Sequence, residues 1–206
     1  MNGILKPEKR VKGIVLNFVD VDIDIVPGNE NIFEYEDFPE NIEIKNYVEN
    51  ERWYLSVKPK SDSFLSKMFG FSFNFNSGGN VKLKINSDIL EILINNVNGD
   101  VSLNKVALNN FYAKSVSGDI GIYNSKIKYL EFYSTSGDLE SVNSPISTLD
   151  IKTVSGDCEI DYLTENFKEA KIKTVSGDID IFVVGEKEVF INRNTSRLVK
   201  YIQISL

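Results

Sequence analysis

"TVSGD" occupies residues 153–157 and recurs at residues 174–178. A five-residue string does not return so soon by chance. It generalises to a V-[SN]-G-D corner followed by an alternating apolar strand: VNGDVSL, VSGDIGI, TSGDLES, VSGDCEI and VSGDIDI. The glycines are Gly99, Gly118, Gly137, Gly156 and Gly177, separated by 19, 19, 19 and 21 residues.

Columns away from the motif keep the same period. Two residues after each glycine stand Val101, Ile120, Leu139, Cys158 and Ile179; five before stand Ile94, Ala113, Phe132, Ile151 and Ile172. Midway lie Leu108, Ile127, Ile146 and, after a two-residue insertion, Phe167. Alternation at spacing two, β-branched and aromatic enrichment and Gly/Asn/Ser punctuation predict two short strands and two turns per period. The apolar positions −7 and −5, then −2, +2 and +4 around each glycine, predict an inner face carried through a bend. Two architectures suit this period. In an antiparallel meander, like residues lie two strands apart. In a β-solenoid they stack directly, about 4.8 Å apart. Only stacking explains why columns repeat in type, so the fold expected is all-β, a single-stranded right-handed β-helix, the hand following that of parallel crossovers.

One domain over residues 1–206, of about eight coils, is expected. Irregular N-terminal coils and a cap fill 1–78, regular coils of 19–21 residues fill 79–183, and a C-terminal cap fills 184–206. GGNVKLKIN, with Gly79 twenty residues before Gly99, reads as one more coil directly ahead of the regular ones. The aromatics Phe64, Phe69, Phe71, Phe73 and Phe75 read as core or cap packing, or as a contact surface if exposed.

A tight corner calls for one residue with positive φ, which explains the glycine column. The adjoining carboxylates, Asp100, Asp119, Asp138, Asp157 and Asp178, would form a ladder if coils stack. Neighbours at rung spacing repel by about 0.9 kcal/mol in water. That is tolerable for solvated corner caps accepting backbone N–H groups. Cation binding is the sharper reading of the same column, but the G-G-x-G-x-D calcium solenoid pattern is absent. Cys158 falls in an inward column and reads as a small core residue. Lys114, Lys152 and Lys173 fall in an outward column, as solvated charges or as a row matched to an acidic glycan.

Composition narrows the function further. The chain has 206 residues, 42% apolar, with a net charge of −7 and no histidine. Absence of histidine removes the commonest general base and every Ser/His or Cys/His pair. The acidic balance disfavours nucleic acid as partner. The single cysteine forms no internal disulfide. No apolar run is long enough for a transmembrane helix, and the N-terminus does not read as a signal peptide, so a cytoplasmic location is expected.

Five VSGDI-type corners behind the N-terminal segment VDVDIDIVPG resemble a bacterial β-strand-repeat family of unknown function labelled "putative adhesins". The resemblance is strongest from about residue 80 to 183 and implies a β-helix and surface adhesion, with no catalytic residues to carry over; a cell-surface location would follow from that label. The function expected is a non-enzymatic binding or scaffold module, without catalytic, metal or cofactor residues, whose partner is a protein or glycan surface. The alternatives are a polysaccharide lyase or hydrolase using paired Asp, and a scaffold that stacks end to end.

Overall fold

A computed structural model describes residues 1–59, 78–163, 167–184, 190–193 and 199–204. The phenylalanine group at 64–75 therefore lies outside the described residues. Among those described, all regular structure is β. The N-terminal strands are β1 (Gly3–Leu5), β2 (Gly13–Asn17), β3 (Val21–Pro27), β4 (Ile32–Glu36), β5 (Ile42–Glu49) and β6 (Arg52–Pro59). There follow β7 (Gly79–Ile85), β8 (Glu91–Asn95), β9 (Val101–Asn104), β10 (Ala107–Lys114), β11 (Ile120–Tyr123) and β12 (Lys126–Tyr133). The last are β13 (Leu139–Val142), β14 (Ile146–Lys152), β15 (Cys158–Leu163), β16 (Glu169–Thr174), β17 (Ile179–Val184), β18 (Phe190–Arg193) and β19 (Val199–Ile204).

These strands form two ladders. One runs β5-β6-β2-β8-β10-β12-β14-β16-β18, parallel except for the antiparallel β5–β6 hairpin. The other runs β1-β4-β7-β3-β9-β11-β13-β15-β17-β19, parallel from β7 onward, with β1 and β4 antiparallel at its end. From β6 onward consecutive strands of the chain fall in different ladders, and from β8 onward partners lie one period apart: Leu108 pairs with Ile127, and Ile127 with Ile146. Residues of one column are thus paired in register on adjacent parallel strands.

The N-terminal order differs from expectation. β7 does not stack on β9; β3 lies between them, with Val21 paired to Gly79 on one side and Ile23 to Val101 on the other. Likewise β2 separates β6 from β8. The chain leaves the β2–β3 level, builds the levels beyond it, then returns on the opposite side. Column spacing records only how far apart two similar segments are in sequence, so it cannot reveal a third segment inserted between them. Stacked Phe18 and Phe33 (centroids 5.8 Å apart) and the edge-on Phe33–Trp53 pair fill the space under this irregular end. The β5–β6 loop is Asn50–Glu51, both at positive φ (49° and 58°), the geometry of a two-residue I′ turn.

The core is one stripe of aliphatic and aromatic side chains between the ladders. One expectation about it fails. Three of the valines two residues before the glycines are exposed, Val116 and Val154 at 47% and Val175 at 39%, and Val97 is half-buried. The residue facing inward is the one before, as with Thr153 and Thr174, at 4% and 2%. Its hydroxyl is satisfied locally, so burial there costs little.

Ser141 is different. It is 1% exposed, and its Oγ has no hydrogen-bond partner, in an inward column with Leu103, Ile122 and Ile160. An unpaired buried hydroxyl costs about 1–3 kcal/mol. Ser141→Ala is therefore expected to raise the thermal midpoint by about 2–4 °C per kcal/mol recovered. A lowered midpoint in calorimetry would show that the hydroxyl is satisfied.

Candidate functional site

The TVSGD corner is held by hydroxyl caps. Thr153 Oγ1 accepts the Gly156 N–H at 3.0 Å, and Thr174 Oγ1 accepts that of Gly177 at 3.0 Å. Ser115 and Ser134 do the same for Gly118 and Gly137 at 2.8 Å. The glycine has a reason other than the one expected. None of the five takes a left-handed φ; instead the last four each back onto the carbonyl of the corner before, and Gly99 backs onto that of Val21. A Cβ on Gly118 would overlap the oxygen of Gly99, and one on Gly137 that of Gly118. Close backbone approach, not turn stereochemistry, requires glycine here.

Positive φ occurs at the opposite corner, at Lys105 (58°), Asn124 (50°) and Asn143 (49°). There Asn143 Nδ2 donates to Asn124 Oδ1 at 2.8 Å, and buried Ser144 Oγ accepts the Ser125 N–H at 3.0 Å. The repeated Asn-Ser dipeptides at 124–125 and 143–144 are the sequence signal for this second corner, and the glycine column drew attention away from it.

The aspartates form a continuous ladder. Oδ1 of Asp100 accepts the Asp119 N–H at 2.9 Å, Asp119 that of Asp138 at 2.8 Å, Asp138 that of Asp157 at 2.7 Å, and Asp157 that of Asp178 at 2.7 Å. Asp22, unassigned from sequence, begins the row by accepting the Asp100 N–H at 2.9 Å. The caps thus reach across to the next rung rather than back to their own turn. Among the described residues no three carboxylates or cysteines come together as a metal-holding group.

This geometry sets two opposing effects. Each carboxylate gains a charge-assisted bond worth about 1 kcal/mol or more, and is repelled by its neighbours at rung spacing. Asp138→Asn keeps the acceptor and removes the repulsion, whereas Asp138→Ala removes both. The Asn variant is expected to exceed the Ala variant in stability by about 1 kcal/mol. It should also gain on the parent chain as ionic strength falls. Equal denaturation midpoints for the two variants would mean that the ladder bond contributes nothing.

Beside the ladder lies the outward face of β9, β11, β13, β15 and β17. With no side chain on Gly121, the Tyr123 ring lies over that residue's backbone, and its hydroxyl donates to Glu140 at 2.6 Å. That bond, with burial, holds the phenol above its ordinary pKa. Two shallow depressions, about 390 and 450 Å³, share Asp119, Gly121 and Tyr123 as lining; Asp24 and Asp100 border one, Asp138, Glu140 and Glu159 the other.

The opposite outward face carries a different chemistry. Lys114, Tyr133, Lys152 and Lys173 occupy successive rungs in register. Lys152 Nζ donates to Tyr133 Oη at 2.6 Å and lies 4.1 Å from the ring centroid; Lys114 Nζ lies 5.6 Å from it. Tyr112 and Tyr129 meet at 5.7 Å nearby, and burial, with Glu131 and Asp150 adding to it, pushes the Tyr129 phenol up to about 12.

Cys158 is buried, and desolvation, with the Asp138 and Asp157 charges adding to it, pushes its thiol up to about 12. A neutral, enclosed thiol is a poor nucleophile. Native protein is expected to give no signal with a disulfide-exchange reagent at mildly alkaline pH, and one equivalent after denaturation. Rapid labelling of the native chain would contradict the core assignment.

Residues 11–188 match the family described as Toastrack DUF4097. The chain belongs to this family. No curated protein matches it. Among solved structures, a "putative adhesin" from Bacteroides fragilis is similar at a TM-score of 0.55 and 13% identity, covering 98% of this chain and 96% of that one. A "putative lipid binding protein" from Parabacteroides distasonis is similar at a TM-score of 0.49 and 17% identity, covering 98% and 96%. A "putative cell adhesion protein" from Clostridium sporogenes is similar at 0.48 and 16%, covering 89% and 98%. At 13% identity the likeness to the Bacteroides fragilis structure concerns the fold alone. The family assignment agrees with the resemblance carried by the VSGDI corners.

Proposed function

We propose that this Toastrack chain is a non-enzymatic binding module, a right-handed solenoid of stacked coils that presents two flat outer faces to partners. The observation that carries the reading is the state of the aspartates. Glycoside-cleaving carboxylates act as a pair across a scissile bond, one of them at a raised pKa. Here Oδ1 of Asp100, Asp119, Asp138 and Asp157 each accepts a backbone N–H from the next rung, and the row is evenly spaced along the sheet. The adhesin wording attached to the Bacteroides fragilis structure is consistent with binding.

The test is an array of neutral and acidic glycans together with turnover assays on the same polymers. Retention on the array with no release of reducing ends or unsaturated products is the expected result. Turnover above blank that Asp119→Asn abolishes would replace this reading with a lyase or hydrolase.

A further inference from the structure

Charge is segregated between the two outward faces. The outward positions of β9, β11, β13, β15 and β17, with the aspartates leading into them, carry nine carboxylates and no Lys or Arg among the described residues. The outward positions of β10, β12, β14 and β16, with Lys168 leading into the last, carry seven lysines against Glu131, Asp150 and Glu169. Stacked sheets lie about 10 Å apart before outer side chains are added. The Debye length at physiological salt is about 8 Å. The lysine face therefore presents its own positive field, although the whole chain is at −7.

We infer that the lysine face docks a linear, carboxylate-bearing polysaccharide laid across the strands. Three observations select that partner. Lys114, Lys152 and Lys173 lie in one row along the stacking direction, Lys152 and Lys173 on adjacent rungs about 4.8 Å apart, so they meet a polymer that carries charge at every sugar. Tyr133 stands within this row and Tyr112 and Tyr129 beside it, supplying half-buried aromatic surface for sugar rings. Finally, Glu131 and Asp150 sit on adjacent rungs among the lysines, which makes the face less densely positive than a phosphate backbone, charged every few ångströms, would require. Lys152, paired with Asp150 at 3.3 Å and donating to Tyr133, keeps a half-exposed side chain that a ligand can reach.

The inference rests on the binding-module reading and is tested with the full chain and polygalacturonate. Binding is followed by affinity electrophoresis and calorimetry at two salt concentrations, with dextran and duplex DNA as comparison polymers. Polygalacturonate is expected to bind more tightly than either, and less tightly as salt rises. Lys114→Glu, Lys152→Glu and Lys173→Glu together should weaken it at least about tenfold, while Glu159→Gln on the acidic face leaves it unchanged. Circular dichroism checks that the triple variant keeps its β signal; the three lysines are exposed. Equal binding of duplex DNA, indifference to the triple substitution, or no binding of polygalacturonate at low salt would each overturn the proposal. Array hits on other ligands would in that case leave the binding-module reading intact. Release of product from polygalacturonate, with binding still lost in the triple variant, would instead overturn the non-enzymatic reading and keep the docking face.

Discussion

Gly118→Ala is expected to destabilise the chain by at least about 3 kcal/mol, the upper end for forcing atoms into a packed site. The added Cβ meets the Gly99 carbonyl, which is backbone and cannot swing aside as a side chain would. Relief requires separating two rungs whose spacing is set by the parallel hydrogen bonds on either side of the corner. For a chain of this size the thermal midpoint should fall by about 6–12 °C. Gly121→Ala supplies the contrast. The atoms nearest its Cβ all belong to the Tyr123 ring, the far end of a side chain on an outward face, which can swing away at the loss of its exposed bond to Glu140. Its cost should be below about 1 kcal/mol. If the two alanines cost the same in denaturant titrations, close stacking at the corner is not what demands glycine.

The second large effect tests the stacking order. Excising the 19 residues Asp119–Gly137 removes β11 and β12 whole and joins Gly118 to Asp138, so the junction still reads V-S-G-D. Leu108 should then pair with Ile146, two members of one column brought together. Asp100 Oδ1 would accept the Asp138 N–H in place of that of Asp119. In a stacked array the loss approximates one coil and its interface. The shortened chain should therefore remain monodisperse and β-rich. Removing only the ten residues Asp119–Lys128 joins Gly118 to Tyr129 and delivers a strand of one ladder where the other ladder needs one. That variant should not fold. Two deletions that unfold alike would favour a cooperative closed structure over independent coils.

Repeat columns are legible in a sequence because identical environments select identical residue types. Leu108, Ile127 and Ile146 announce their stacking through a shared apolar character at a fixed period, and the VSGD corner announces its position. Such columns identify a place in the repeat, not the force acting there. Glycine serves positive φ and close approach equally well, so only the backbone geometry separated the two at Gly118, and placed positive φ at Asn124 and Asn143 instead. Valine two residues before the glycine is apolar, yet Val116 points outward, because the bend reverses parity between Thr or Ser at −3 and the glycine.

What the amino-acid sequence determined by itself is the local, periodic part: β structure, the 19-residue register, the inward columns with Cys158 among them, and the outward lysine and aspartate rows. What only the tertiary structure decided is the non-local part. Placement of β2 and β3 between levels that are adjacent in sequence depends on contacts 78 residues apart, as between Asp22 and Asp100, and no short-range pattern encodes them. The sign of each face was decided there too. A charged residue's sequence position sets which rung it occupies; the bend at each corner sets which ladder, and hence which field, it joins.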